Sequence, residues 1–314
     1  MKKLIVSAAR LDEDFVRDED DPSFAIGIGL TEKDDDYVLA IRVETEADKS
    51  RVIGRYEKLW FDKRIEADVR VIGRERLRLA DDRRQEVAGQ PLAIGASVSH
   101  FKELSGTLGF FAKRKGVKGF VSCNHVIALE DGAKDGDPIL SPGTSDNGTD
   151  PDDHAGKLVF AASLHGGGRK IADCAFAEAD PARLPTNTRI LGRDGNLINR
   201  QVFIRRRLRV IKIGRSSHRT EGRITAGNLD HFAADFATLS VKFNDVYEVE
   251  TTDLGRDPDP FCEEGDSGAL VYTANREPVG LLFYKAPTGG PGNSGLGYLN
   301  PFDNVLRALN AQLL

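Results

Sequence analysis

A serine hydroxyl attacks a carbonyl only when a neighbouring imidazole takes its proton and a carboxylate orients that imidazole. One stretch suits such a serine: FCEEGDSGAL, residues 261–270, with Gly265, Asp266, Ser267 and Gly268 at its centre. Gly, Asp and Ser are also ordinary turn residues, so the stretch acquires chemical meaning only if a base and an acid stand elsewhere. Among the 6 histidines, His125 lies in GFVSCNHVIAL, at the end of an apolar β-like run that offers a rigid mount. Taken alone it also fits a core histidine satisfied by backbone groups. His154 and His165 sit in Asp- and Gly-rich loops and read as solvated. Asp173 stands among apolar neighbours in KIADCAFAEA. A buried aspartate is costly without a partner, so a partner is expected, although a strand-end cap fits as well. Asp152 and Asp153, in GTDPDDH, read as loop carboxylates free in water. The order is His125, Asp173, Ser267, with separations of 48 (173−125) and 94 (267−173) residues.

These residues must be held by surrounding elements. Residues 10–22, RLDEDFVRDEDDP, are strongly acidic and predict an exposed lead-in over residues 1–23. FAIGIGL (24–30), a polar turn and YVLAIRVE (37–44) predict a hairpin. From Thr45 to Trp60, Val52, Ile53, Tyr56, Leu59 and Trp60 fall near helical spacing, with Gly54 weakening the pattern. IEADVRVIG (65–73) predicts another strand, which completes a small α+β (ββαβ) domain over 24–85, with a linker at 74–90. From Pro91 the texture is different: TLGFFAKR, GFVSCNHVI, KLVFAA, ADCAFAEA, VFIRRRLRVIKIG, GRITAG, ATLSVKF, SGALVYT and VGLLFYK are short β-like runs separated by turns. Many short strands with Gly-rich turns predict a mainly β unit over 91–314, large enough for two barrels. PFDNVLRALNAQLL ends the chain as a helix with Val305, Leu306, Leu309 and Leu313 on one face.

Composition narrows the function classes. The 314 residues carry 40% hydrophobic and 30% charged side chains and a net charge of −5, which suits a globular protein and lacks the basic footprint of a nucleic-acid binder. No run has the length to span a bilayer, and the apolar stretch Leu4–Ala9 is too short for a signal-peptide core. The 3 cysteines, Cys123, Cys174 and Cys262, show no framework spacing and read as reduced thiols of a cytoplasmic protein. Cys123 and Cys174 read as small buried hydrophobes. No ligand cluster calls for a metal, and no motif calls for a cofactor.

SCNHV, ADCAFA and GDSGALV resemble, in this chain order, the three catalytic blocks of trypsin-like (chymotrypsin-fold) serine proteases. The resemblance covers roughly 91–314. PLAIGASVSHFKELSGTLGFF, SCNHVIAL and GDSGALVY with VGLLF are most similar to a subgroup of bacterial trypsin-like peptidases that includes the plant narrow-leaf protein. The resemblance implies a two-barrel chymotrypsin-like fold and a serine endopeptidase, with His125 as base and then acid, Asp173 orienting it, and Ser267 forming the acyl-enzyme. It further implies an oxyanion hole made by the N–H groups of Gly265 and Ser267. In zymogen-activated relatives the residue matching Asp266 pairs with a newly cut N-terminus. No matching activation sequence precedes Pro91, and a buried carboxylate still needs a cation. Lys212 is the expected partner, with Arg215 second. By the same resemblance Phe261 and Cys262 lie at the base of the substrate pocket, and Phe283, Tyr284 and Lys285 form its wall. With Phe261 where an aspartate would select Lys or Arg, the resemblance implies no cleavage after basic residues, and the three catalytic blocks in a chain read as cytoplasmic imply restricted specificity toward a partner protein. The alternative is a binding or regulatory module on a protease fold with a closed pocket. The expected partner is thus a protein or peptide substrate, and an exposed strand edge in the N-terminal domain could pair subunits or cover the cleft.

Overall fold

We describe residues 24–33, 36–75, 89–204 and 206–314 of a computed structural model. The acidic lead-in and most of the linker lie outside the described residues. The chain is mainly β: a closed barrel of six strands and a curled half-barrel, with a helix near the C-terminus.

The N-terminal elements are β1 (Phe24–Leu30), β2 (Tyr37–Val43), α1 (Glu46–Lys63) and β3 (Ala67–Val71). Thr45 caps α1, its Oγ1 accepting the Asp48 N–H at 3.1 Å. Arg64 ends it in a left-handed conformation. Val52, Tyr56 and Trp60 of α1 are buried, in one apolar cluster with Phe24, Ile26, Leu39, Ile41 and Val43. A side chain at Gly54 would meet nothing within 4 Å, so the glycine costs helix propensity but sits on an open face.

The half-barrel is built from β4 (Ser97–His100), β5 (Gly106–Thr107), β6 (Phe110–Arg114), β7 (Val117–Ser122), β8 (Pro138–Leu140), β9 (His154–Ala161) and β10 (Ala175–Ala179), with the short helix α2 (Asn124–Ile127) after β7. The second half contains β11 (Arg209–Gly214), β12 (His218–Asp230), the hairpin β13 (Phe232–Asp235) and β14 (Ser240–Phe243), β15 (Val246–Thr251), β16 (Leu270–Thr273), β17 (Pro278–Ala286) and β18 (Leu296–Pro301). β11 pairs with both β16 and β12 and closes the ring β11-β16-β17-β18-β15-β12.

Strand β12, 13 residues long, explains how the N-terminal unit attaches. Its first half pairs with β11 through Arg223. Its second half pairs with β1, Gly227 opposite Ile28. The unit therefore extends the barrel sheet in the order β12-β1-β2-β3. A buried ion pair reinforces this seam: Arg42 Nε lies 2.5 Å from Glu248 Oε2, and Thr225 and Tyr298 hydroxyls also donate to that carboxylate.

At the other end, α3 (Phe302–Leu309) is shorter than its sequence pattern predicts. Asn310 turns left-handed at φ 48°, which asparagine tolerates, and β19 (Ala311–Leu313) pairs with β6 of the half-barrel. Leu313 thus lies on a strand and not on the helix face. Among the described residues, no helix is long and apolar enough to cross a membrane.

Candidate active site

His125 stands on α2 directly after β7, and Asp173 precedes β10. These strands are hydrogen-bonded neighbours, with Ser122 opposite Ala175. That register brings the two residues together despite their separation in sequence. His125 Nδ1 lies 2.5 Å from Asp173 Oδ2. The other carboxylate oxygen, Oδ1, accepts the backbone N–H of Asn124 at 2.8 Å and of His125 at 3.3 Å. Asp173 is fully buried and His125 is 3% exposed. A buried carboxylate with three donors around it is fixed in place, and it fixes the ring orientation of its imidazole.

The Ser267 loop joins the second barrel. Gly268 N–H donates to Leu282 O at 2.8 Å, and Thr107 N–H from the half-barrel donates to Ser267 O at 2.8 Å, so the loop is pinned from both sides. Gly265 (φ 88°) and Gly268 (φ 96°) both adopt positive φ, a region that costs other residues strain. A Cβ on Gly268 would also lie 2.2 Å from Thr107 O. Among the described residues, no acceptor takes the N–H of Gly265 or of Ser267, and none hydrogen-bonds to His125 Nε2. Ser267 itself is 9% exposed.

Asp266 points away from this face into a fully buried ion pair, 2.9 Å from Lys212 Nζ. Its Oδ1 accepts the N–H groups of Ser216 (2.8 Å) and Ser217 (3.1 Å), and its Oδ2 accepts the Ser217 hydroxyl (2.5 Å) and the Glu263 N–H (2.9 Å). Burial alone would raise this carboxyl. The Lys212 ammonium and the Ser217 hydroxyl outweigh burial and hold it below the usual range. A Cβ at Gly214 would lie 2.3 Å from Asp266 Oδ1, which gives GRSS its glycine. Arg215 is engaged elsewhere, forking onto Asp146 at 2.7 and 2.9 Å.

The residues assigned to the substrate pocket are mostly interior. Phe261, Cys262, Phe283 and Tyr284 are all buried. The Phe261 ring meets the positions a Cβ would take at Gly222 and Gly297. Phe283 packs on Phe243 with ring centroids 4.8 Å apart. Lys285 is half-buried and lies 2.6 Å from Glu263. Asp153 also differs from its reading as a solvated carboxylate: it is buried, and accepts the Thr149 N–H at 2.9 Å.

Three contributors carry no sequence signal of their own. Asn300, on β18, accepts the Asp173 N–H at 2.8 Å and so ties the two halves together. Phe236 packs on the His125 ring at 5.5 Å between centroids. Glu130 reaches the turn beyond Phe236, accepting the N–H groups of Ala237 (2.8 Å) and Thr238 (2.9 Å). Glu130 lies in a run of three left-handed residues, Leu129, Glu130 and Asp131. Each such residue costs roughly 1–3 kcal/mol and persists only where surrounding contacts enforce it. Asn124 supplies such contacts, its amide bonding Asp131 at 2.5 Å and accepting the Asp131 N–H at 3.0 Å.

Cys123, His125 and Asp173 each place one potential metal-ligating atom within 4.8 Å of the others. Burial pushes the Cys123 thiol well above its ordinary range, and it donates to Leu282 O at 3.3 Å. A protonated, buried thiol is a packing group in this setting.

No family model matches the chain, and no curated protein matches its sequence. Similar solved structures include Thermobifida fusca protease A and a Nocardiopsis protease, each at 17% identity and a TM-score of 0.47, covering 71% of this chain and 98% of that one. A Cellulomonas bogoriensis chymotrypsin aligns at 15% identity with a TM-score of 0.44, over 71% of this chain and 98% of its own.

Proposed function

We propose that the protein is a serine peptidase that hydrolyses peptide bonds of a protein or peptide substrate through an acyl-enzyme. The observation that carries this reading is the buried His125–Asp173 pair, 2.5 Å apart, beside a loop whose Gly265 and Ser267 N–H groups have no acceptor among the described residues. His125 takes the Ser267 proton as the hydroxyl attacks the carbonyl carbon. The carbonyl π electrons move onto oxygen, and the two N–H groups stabilise that oxyanion. The tetrahedral adduct then collapses, the C–N bond breaks, and His125 returns the proton to the leaving amine. Water repeats the sequence on the ester and releases Ser267. Asp173 holds the tautomer with Nδ1–H and stabilises the imidazolium. His125 Nε2 has no hydrogen-bond partner among the described residues, so the Ser267–His125 hydrogen bond forms when substrate fills the site, as apo catalytic geometries commonly tighten on binding.

The filled interior around Phe261 and Phe283 supports narrow specificity. The same filling, with His125 Nε2 lacking a partner, supports the second reading, a protease-fold binding module. Labelling with a fluorophosphonate separates the two. A peptidase labels at Ser267, and both Ser267→Ala and His125→Ala abolish the adduct. Absence of labelling in the wild type assigns the fold to binding.

A further inference from the structure

β17 extends beyond its neighbour. β16 pairs with it only from Pro278 to Leu281, and the nucleophile loop continues that line through the bond from Gly268 N–H to Leu282 O. From Phe283 to Ala286, no described strand pairs on that edge, the other edge being taken by β18. An extended peptide continuing the line of β16 would run antiparallel to β17 and arrive at Ser267 carboxyl end first. The edge therefore receives residues N-terminal to the cleaved bond.

The far end of this edge is closed by the segment that leaves β3, Ile72–Glu75. Thr288 N–H donates to Ile72 O at 3.4 Å, and the Thr288 hydroxyl donates to Val71 O at 3.4 Å. Gly73 (φ 65°) packs so closely that a Cβ would lie 3.1 Å from Pro287. The Tyr284 hydroxyl donates to Glu75 O at 2.7 Å. Arg74 pairs with Asp235 (2.5 Å) and Glu44 (2.8 Å). Asp235 directly precedes Phe236, the residue packed on His125. The strap thus closes the edge and braces the hairpin beside the histidine.

We infer that the Ile72–Glu75 strap limits the length of chain accepted on the N-terminal side of the cleaved bond, so that the enzyme cuts near polypeptide N-termini. This rests on the peptidase reading above. From Phe283 to Ala286 the edge spans roughly 13 Å, an upper limit of about four residues of extended peptide, and Lys285 is the one residue of the four that is not buried. The N-terminal unit is then part of the substrate-recognition surface.

The test digests a proteome-derived peptide library with the full chain and sequences the products. The wild type is expected to cut within about four residues of peptide N-termini. Arg74→Ala and Tyr284→Phe are expected to shift cuts inward, with a several-fold rise beyond the sixth residue. Tyr284→Phe removes one hydroxyl and keeps the ring, so it serves if Arg74→Ala fails to fold. Wild-type cuts spread evenly along the peptides, or variants that raise cutting equally at all positions, overturn the inference. Fluorophosphonate labelling of the same preparations distinguishes the failures. Labelled enzyme with evenly spread cuts removes only the strap, whereas unlabelled enzyme removes the peptidase reading and the strap's role with it.

Discussion

Two buried ion pairs do different work in this molecule. Lys212–Asp266 lies beneath the Ser267 loop, and Arg42–Glu248 lies in the seam between the N-terminal unit and the barrel. Both are fully buried, both join residues distant in sequence, and in each the carboxylate accepts further hydrogen bonds. Asp266, however, is adjacent to Ser267, so its position sets the backbone that presents the proposed nucleophile. Glu248 lies on β15, away from Ser267 in the chain, and its contacts hold β2 against the barrel. Identical physics thus serves to shape the Ser267 loop in one place and to join two units in the other. Buried pairs rarely add net stability over apolar replacements, whereas loss of one partner is expensive.

Asp266→Asn should have the largest effect, since it leaves the Lys212 ammonium without its counter-charge and releases the loop. Fluorophosphonate labelling of Ser267 should slow by roughly 100-fold or more, the scale of losing one oxyanion donor. Denaturant unfolding should show a loss of about 3–5 kcal/mol. Glu248→Gln should cost a similar stability with labelling retained within about threefold, because its damage is confined to the seam. Equal loss of labelling in both variants would erase the distinction.

Paired replacement sharpens it further. Arg42→Met with Glu248→Leu should recover part of the stability lost in Glu248→Gln, because the apolar pair carries no desolvation cost, while the Thr225 and Tyr298 hydroxyls still lose their shared acceptor. Lys212→Met with Asp266→Leu should recover stability to a comparable degree and leave labelling impaired. Chemical denaturation and labelling on the same samples check both statements.

A smaller effect appears with pH. Burial alone would raise the Glu248 carboxyl, but Arg42 overcomes it and draws the value down to about 2 from the ordinary 4.5. The unfolded chain therefore binds the proton first as pH falls. The seam's stabilisation is complete above about pH 4.5 and is lost as pH approaches 2, by roughly 3 kcal/mol. Asp266 is also depressed and shifts in the same sense. Urea midpoints between pH 6 and 2.5 should fall less steeply in Glu248→Gln than in the wild type. The smallest change belongs to Thr45→Ala, which removes the cap of α1 and should cost about 1 kcal/mol, read in the melting curve, with labelling unchanged.

The legibility of these features in the sequence follows from their range. The ββαβ pattern, most barrel strands and the nucleophile turn are written in local periodicity and turn chemistry. The C-terminal pattern misled past Asn310, because Leu313 continues the helical spacing but packs on a strand against Ala112. Lys212 was a legible partner for Asp266 because the resemblance marks Asp266 as a buried carboxylate that needs a cation. Arg42 also stands in an apolar run, YVLAIRVE, but nothing near it in the sequence asks for a cation. Its partner is 206 residues away, and no local pattern names it.

The sequence by itself determined which residues could do chemistry here. His125, Asp173 and Ser267 are set in rigid, apolar or glycine-defined contexts, and such contexts are properties of a few neighbouring residues. Tertiary structure alone decided what surrounds them. The register of β7 on β10 places the carboxylate against the imidazole, and Asn300 tethers Asp173 across the two halves. Phe236 is brought onto His125, and the strap of Ile72–Glu75 onto the end of β17. These contacts depend on strand pairing and chain closure between segments far apart, where short-range spacing carries no information.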